Sequence, residues 1–349
     1  MNPCDKPGLT PVNEAIEYLL LQVTPVTEGE LCPLEHACGR VLAEDVISPV
    51  NVPPADNSAM DGYAVNPGKL ESGRTPIGLF RQRGIVLAGE VFEGVLSAGE
   101  CVRIMTGAVV PDGAKLVVMQ ESTEVVDAGV RVDNPESLRD GDNIRRAGED
   151  IRHGDVVLNA GRRLTPADCG LLASIGIADV SVVRPLRVSL LTTGDELIAP
   201  GNDLPVGKIY ESNSYVLRPV LTRLGAEVTL VTAVSDTLGA IQEALETAAS
   251  EADIIITSGG VSVGEADFTR TAVEALGQLD LWKLAMNPGK PLAFGRIGKT
   301  LFLGLPGNPV SALVTLHQIG LPVLRSLAGE IVPPPIRIPA IASERLKKR

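Results

Sequence analysis

The sequence predicts a multidomain α/β plus β fold, and three observations lead to it. At 349 residues the chain exceeds the ~250–300 residues that one hydrophobic core usually serves. From residue 187 to about 328, short apolar strands alternate with amphipathic helical stretches, the pattern of a three-layer α/β domain whose mostly parallel sheet lies between helices. Between Ile77 and Glu121, Val- and Ile-rich runs are separated by glycine turns (Ala88-Gly89-Glu90, Ala98-Gly99-Glu100, Pro111-Asp112-Gly113), as expected of a small β-barrel-like domain.

Taken in order, residues 11–22 carry helical apolar spacing behind Pro11 and predict a packing helix. Residues 143–183 read as a turn, short strands and a helix over 165–175 introduced by Thr165-Pro166, placed to pack back on the first helix. In the α/β region the strands are expected at 188–191, 227–233, 254–256, 279–284 and 300–303, and a further helix at 310–318. Ile254 to Ile256 form an uninterrupted apolar run, which suits a strand covered on both faces. Gly298-Lys299-Thr300 resembles the end of a Walker A loop, but Ala293 stands where the first glycine is required. Strand-like runs flank it, so it reads as a hairpin turn.

Composition removes several function classes. A net charge of −12 disfavours a polyanionic partner, and one Trp, four Tyr and five Phe leave little material for stacking bases. Nucleic-acid binding is therefore not expected. No run approaches the ~20 apolar residues of a membrane span and the N-terminus lacks a signal-peptide pattern, so the expectation is a cytoplasmic protein without membrane association. Cys4, Cys32, Cys38, Cys101 and Cys169 are scattered without C-x-x-C spacing, which argues against a disulfide framework or a zinc site. His36, His153 and His317 are isolated, which argues against a His-dependent triad.

The chemistry is expected in the loops that follow the strands, because ligands of open α/β sheets sit at the strands' carboxyl ends. Thr192-Thr193-Gly194-Asp195-Glu196 is one such loop, and Leu305-Pro306-Gly307-Asn308-Pro309 is another. Between them in the chain, Thr257-Ser258-Gly259-Gly260-Val261-Ser262 leads through Glu265 to Asp267. Gly259 and Gly260 allow backbone N–H groups to turn toward an anion, and carboxylates such as Glu265 and Asp267 are hard donors suited to Mg²⁺. The competing reading is a strand-to-helix turn capped by Asp267. Lys283 and Lys290, around Asn287-Pro288-Gly289, supply positive charge for oxyanions or stand as solvated loop charges.

The segment Pro54-Ala55-Asp56-Asn57-Ser58-Ala59-Met60-Asp61-Gly62-Tyr63-Ala64-Val65 resembles one family, the molybdopterin molybdenumtransferases, which include MoeA and the gephyrin E domain. Further family elements follow in order: Arg103-Ile104-Met105-Thr106-Gly107-Ala108, Asn143 to Asp150, Thr193-Gly194-Asp195-Glu196-Leu197, Gly207-Lys208-Ile209-Tyr210-Glu211-Ser212-Asn213, Ser258 to Ser262, Pro288-Gly289-Lys290-Pro291, and Pro306-Gly307-Asn308-Pro309. Adenylyl transferases of molybdopterin share the α/β motifs, and the Asp-Asn-Ser-Ala-Met-Asp-Gly segment separates the two families.

The resemblance implies a homodimer whose subunit has a split elongated N-terminal domain (1–52 and 143–183), a small β domain (53–142), a molybdopterin-binding α/β domain (184–328) and a C-terminal β domain reduced to 329–349. It implies insertion of molybdate into adenylylated molybdopterin with Mg²⁺ and release of AMP. The expected partners are a molybdopterin adenylyltransferase and acceptor molybdoenzymes. By motif, Asp236, Asp267 and Glu196 are expected to place the metal. Ser258, Gly259, Gly260, Ser262, Pro306, Gly307 and Asn308 are expected to hold the pterin ligand, and Asp61, Thr106, Asp150, Glu196, Lys283 and Lys290 to serve catalysis.

Each has a structural rival: a local turn for Asp61, the Thr-Gly turn for Thr106, an arginine pair for Asp150, a helix cap for Asp236 and an exposed first-turn acid for Glu196. Asn287 stands where the family commonly has Lys or Arg, which lowers the expected affinity for oxyanions. A non-catalytic pterin-binding scaffold and the adenylylation step itself are the alternative functions.

Overall fold

The structure, a computed structural model, describes residues 8–68, 78–259, 268–333, 336, 338–341 and 343. It divides into two compact units, one drawn from residues 1–44, 160–169 and 179–349, the other from 45–159 and 170–178.

The first unit is built on a six-stranded sheet of β1 (Arg187–Thr193), β2 (Glu227–Val234), β3 (Ile254–Ser258), β4 (Gln278–Lys283), β5 (Pro291–Ile297) and β6 (Thr300–Leu305). Their spatial order is β2-β1-β3-β6-β5-β4. The first four in that order are mutually parallel, whereas β5 runs antiparallel to β6 and β4 antiparallel to β5. The sheet is therefore mixed, and β4 points the same way as the parallel four. The β5–β6 hairpin turns at Gly298 and Lys299 with Ile297 opposite Thr300, which is the expected role of the Gly-Lys-Thr sequence.

Helices α1 (Asn213–Arg223), α2 (Leu238–Glu251), α3 (Phe268–Leu276) and α4 (Pro309–Leu327, with a π turn at Leu316–Gly320) cover the two faces. Ile254 and Ile256 pack in one core with Leu217 and Leu221 of α1 and Leu316 and Val323 of α4. Ile255 packs in the opposite core with Ile241 and Leu245 of α2 and Ala272 and Val273 of α3. The alternation of strand side chains thus meets an apolar layer on each side, which is why the run carries no polar residue. Helix α4 has the length and apolarity of a membrane span, yet Leu316, Ile319, Val323 and Leu324 are buried in this core.

The first helix, Val12–Leu21, places Ala15 and Leu19 in the α1/α4 core, and Val26 N–H donates to Leu327 O at 2.8 Å. Its apolar stripe docks on α4, where the sequence predicts the 165–175 helix as its partner. At the amino end of the sheet, Arg184 grips Asp253 through Nη1–Oδ2 at 2.7 Å and Nη2–Oδ1 at 2.8 Å. Glu330, almost fully buried, accepts from Arg163 Nε at 2.8 Å and from Arg325.

The second unit holds a curled half-barrel sheet. Its strand order is Leu116–Met119, Gly62–Asn66, Glu100–Ile104, Leu79–Val86, Gly129–Val132, Thr123–Val126. Tyr63, Val65, Phe80 and Leu116 fill one face, and Ala64, Val86, Val102 and Val117 the other. Gly62 opens a strand here and is not a turn residue. A Cβ on it would lie 1.9 Å from Val118 O, so the close approach of the neighbouring strand dictates glycine.

Candidate functional site

Because β4 runs with the four parallel strands, the carboxyl ends of β1, β2, β3, β6 and β4 share one end of the sheet. The sequence-predicted residues follow along that rim in strand order: Asp236 after β2, Glu196 after β1, Ser258 and Gly259 at β3, Pro306 to Asn308 after β6, then Lys290 before β5 and Lys283 ending β4. Five interstrand spacings of ~4.8 Å make the rim about 24 Å long. Gly260, Ser262, Glu265 and Asp267 lie outside the described residues.

One edge of the rim is acidic. Asp236 N–H donates to Asp195 Oδ1 at 3.1 Å, which draws the loops after β1 and β2 together. Partial burial, then the charges of Asp195 and Glu196, raise the Asp236 carboxyl above its ordinary pKa. Asp236 is not the cap of α2, since Thr237 takes that role by accepting from Ala240 N–H. Among the described residues no group of three or more His, Cys, Asp or Glu side chains is arranged to hold a metal ion. Asp236 and Glu196 therefore offer a partial set of hard donors.

The centre of the rim is a knot of three loops. Gly259, at φ +100°, donates its N–H to Leu305 O at 3.2 Å, and a Cβ on it would lie 3.3 Å from Thr193 O. This corrects the expectation that its amide faces an anion: the N–H extends the β3–β6 pairing instead. A Cβ on Gly307 would reach Gly259 Cα at 3.6 Å, so the loops after β3 and β6 touch. Asn308 Oδ1 accepts from Val310 N–H at 3.1 Å and Ser311 N–H at 3.3 Å, capping α4. The side-chain oxygen of Asn308 is thus committed to the helix, whose amino end faces the rim. Asn213, at the start of α1, spans this knot by donating to Ser258 Oγ at 2.5 Å and Gly307 O at 2.7 Å. Sequence reasoning placed Asn213 in a family motif without giving it a role.

The far edge is basic. Lys283 and Lys290 are exposed and flank the β4–β5 connection, where Leu284 N–H donates to Lys290 O at 2.7 Å. The two lysines share a neighbourhood, but the width of the sheet separates them from Asp236.

In the β unit, Asp61 Oδ1 accepts from Thr106 N–H and Thr106 Oγ1, both at 2.7 Å. These bonds, followed in effect by the Arg103 charge, hold the Asp61 carboxyl below its usual pKa. The Asp61 carboxylate is thus spent on a residue far away in sequence and not on its own turn, while Thr106 sits in the turn closed by Ala108 N–H to Met105 O and directs its hydroxyl out of it. Asp150 pairs with Arg145, and Arg146 Nη1 donates to Asp56 Oδ2 at 2.5 Å. The segment carrying Asp56 to Asp61 is bound on both sides: Arg145 pairs with Asn57, and Gly107 N–H donates to Ser58 O.

A three-layer α/β unit with glycine-lined loops and carboxylates on its carboxyl rim, in a chain that also carries a half-barrel β unit, belongs to the class of α/β proteins that bind ligands at the carboxyl ends of their strands. Residues 10–176 match the family model described as the MoeA N-terminal region (domain I and II), and residues 189–326 match that of a "probable molybdopterin binding domain". The chain belongs to the molybdopterin molybdenumtransferase (MoeA) family, a family of enzymes of molybdenum cofactor biosynthesis. It is 44% identical over 338 residues to the molybdopterin molybdenumtransferase of Haemophilus influenzae, covering 97% of this chain and 82% of the relative. With the Bacillus subtilis molybdopterin molybdenumtransferase it shares 35% identity over 90% of this chain and 74% of the relative. The molybdopterin biosynthesis MoeA protein of Pyrococcus horikoshii superposes with a TM-score of 0.78 at 31% identity, covering 93% of this chain and 80% of that one.

Proposed function

We propose that this chain inserts molybdate into adenylylated molybdopterin with Mg²⁺ and releases AMP. The observation that carries the proposal is the rim itself: acids at one edge, closely packed glycine loops and a helix amino end at the centre, and two lysines at the far edge. Its length of about 24 Å suits an extended ligand made of a pterin, a phosphoanhydride and a nucleoside. The dipole of helix α4 favours phosphate near its amino end, while its first-turn N–H groups are held by Asn308. Lys283 and Lys290 are assigned to the remaining anion, molybdate or phosphate. Asp61, with Thr106 keeping it ionised, and Asp150 are assigned to the same reaction by their motifs.

Asp236 and Glu196 fit a divalent cation, because their mutual repulsion is relieved by positive charge and Mg²⁺ needs only one or two carboxylates beside phosphate and water. When bound there, Mg²⁺ would stabilise charge on the departing phosphate. We further place the protein in the cytoplasm as a homodimer, to be tested by its sedimentation mass.

The test supplies purified protein with adenylylated molybdopterin, molybdate and Mg²⁺. The expected result is stoichiometric AMP and cofactor. Ligand binding without AMP, or ATP-dependent adenylylation of molybdopterin, would replace the proposal with one of its two rivals.

Asp236→Asn separates the metal assignment from turnover. The raised carboxyl means that ionised Asp236 opposes folding at neutral pH and that this cost fades as pH falls through the raised value. The variant is therefore expected to melt no lower than the parent without metal. Mg²⁺ should raise the melting temperature of the parent and barely that of the variant, while half-maximal activity requires roughly tenfold more Mg²⁺. Equal metal-induced shifts in both proteins would remove Asp236 from the metal site.

A further inference from the structure

We infer that Asn213 is a positioning residue whose single carboxamide ties the carboxyl end of β3, at Ser258, to the loop after β6, at Gly307, and so fixes the seat for the ligand's phosphates where these two segments meet. The inference rests on the reading above that this part of the rim receives the phosphoanhydride.

The geometry is specific to an amide. Nδ2 directs one N–H to Ser258 Oγ at 2.5 Å and the other to Gly307 O at 2.7 Å, so one nitrogen ties the last side chain of β3 to the main chain of the loop after β6. A carboxylate could donate neither bond, and a hydroxyl could donate one. The two segments it joins are in contact through Gly259 and Gly307, and Gly259 N–H reaches across to Leu305 O. Separation of the loops would break that bond.

Asn213 is held in turn. The buried Glu211 carboxylate accepts from Ser214 N–H at 2.9 Å and from the Ser214 hydroxyl, while Glu211 N–H donates to Ile198 O at 2.8 Å. The main chain on both sides of Asn213 is therefore fixed before its side chain spans the gap. Asn213 Oδ1 is buried without a protein partner, an arrangement with a stability cost. Ser258 and Thr192, opposite each other in the β1–β3 register, are also buried, and Thr192 Oγ1 likewise has no protein partner. A polar group placed in such surroundings for stability alone would be poorly chosen, whereas one that fixes two loops has a reason to be there.

The experiment compares Asn213→Ala, Asn213→Asp, Ser258→Ala and the Asn213/Ser258 double alanine variant. Binding of adenylylated molybdopterin to Asn213→Ala is expected to weaken roughly tenfold, the scale of two lost hydrogen bonds, with kcat at saturation within about threefold of the parent. Asn213→Asp should bind more weakly still, because its charge opposes the phosphates. Ser258→Ala alone should cost a few-fold and add nothing in the Asn213→Ala background, since the pair acts as one unit.

Hydrogen exchange at the Gly259 amide should accelerate in Asn213→Ala with or without ligand, while the unliganded melting temperature changes by no more than a few degrees. Parent-like affinity and Gly259 exchange in Asn213→Ala, or full additivity with Ser258→Ala, would overturn the inference. A parent protein that fails to bind the ligand would instead sink the proposed function, and the exchange measurement would still report on the tie.

Discussion

Glu330→Ala is expected to cost the α/β unit about 3–5 kcal/mol, the scale for removing one member of a buried ion pair. The alanine would leave Arg163 and Arg325 facing each other around a position that now holds the charge shared by both. Arg163 retains bonds from Nη1 to Gly39 O and Leu224 O, but its Nη2 is already buried without a partner, so the guanidinium has nowhere better to turn. Urea unfolding should show a lower midpoint with an unchanged slope. Burial pushes the Glu330 carboxyl up, but hydrogen bonds and charge from Arg325 and Arg163 outweigh it and leave the pKa below its ordinary value. The stabilisation is thus complete above the ordinary value of about 4.3 and is lost as pH falls through the lowered one. The stability gap between the parent and Glu330→Gln should close as the solution is taken below about pH 4. A gap independent of pH would show that the two arginines do not depend on this charge.

Gly62→Ala is expected to remove at least about 3 kcal/mol from the β unit and to abolish the Asp61 arrangement with it. The added methyl would sit 1.9 Å from Val118 O, a main-chain atom that cannot swing away, so the strand pairing of Gly62 with Met119 must open. Asp61 is the next residue, and its carboxylate holds Thr106 by two bonds of 2.7 Å. Displacement of the strand end by even 1 Å would break both. The expected signature is loss of protection in the strand Leu116–Met119 together with loss of activity, while the α/β unit keeps its own unfolding transition. A fully folded, active Gly62→Ala protein would show that the sheet tolerates a gap at this pair.

Much of the α/β unit is legible in the sequence because buried strands announce themselves. Ile254 to Ile256 need apolar neighbours on both faces, and the glycine-rich sequences after β1, β3 and β6 mark where the chain must turn. Gly298-Lys299 is also readable as a hairpin, since a Walker A loop needs a glycine where Ala293 stands. Legibility ends where a residue's role depends on a partner distant in sequence. Asp61-Gly62 has the composition of a turn, but Val118 on a neighbouring strand makes the glycine necessary and Thr106 gives the aspartate its bonds. Thr237, not Asp236, caps α2, a choice that one residue of register decides. Nothing in the local sequence around Asn213 says that Ser258 and Gly307 will come within reach of it, because that convergence exists only once three strands are paired. Gly259 shows the same limit: its conformational freedom is visible in the sequence, but the destination of its N–H is not.

The mixed sheet also has a consequence for how the chain reaches its native state. Strands β4, β5 and β6 form a meander over residues 278–305, so their pairings close on short loops and are expected to form quickly. Strand β3 must instead bridge β1, whose Val188 meets Ile254, and β6, whose Leu301 meets the same residue from the other side. During synthesis that central strand is complete well before β6 emerges, and one of its edges waits unpaired. The nascent chain is therefore most prone to stick to its neighbours in this interval, and a pause in translation just before residue 300 should increase aggregation more than a pause late enough for β6 to have cleared the ribosome.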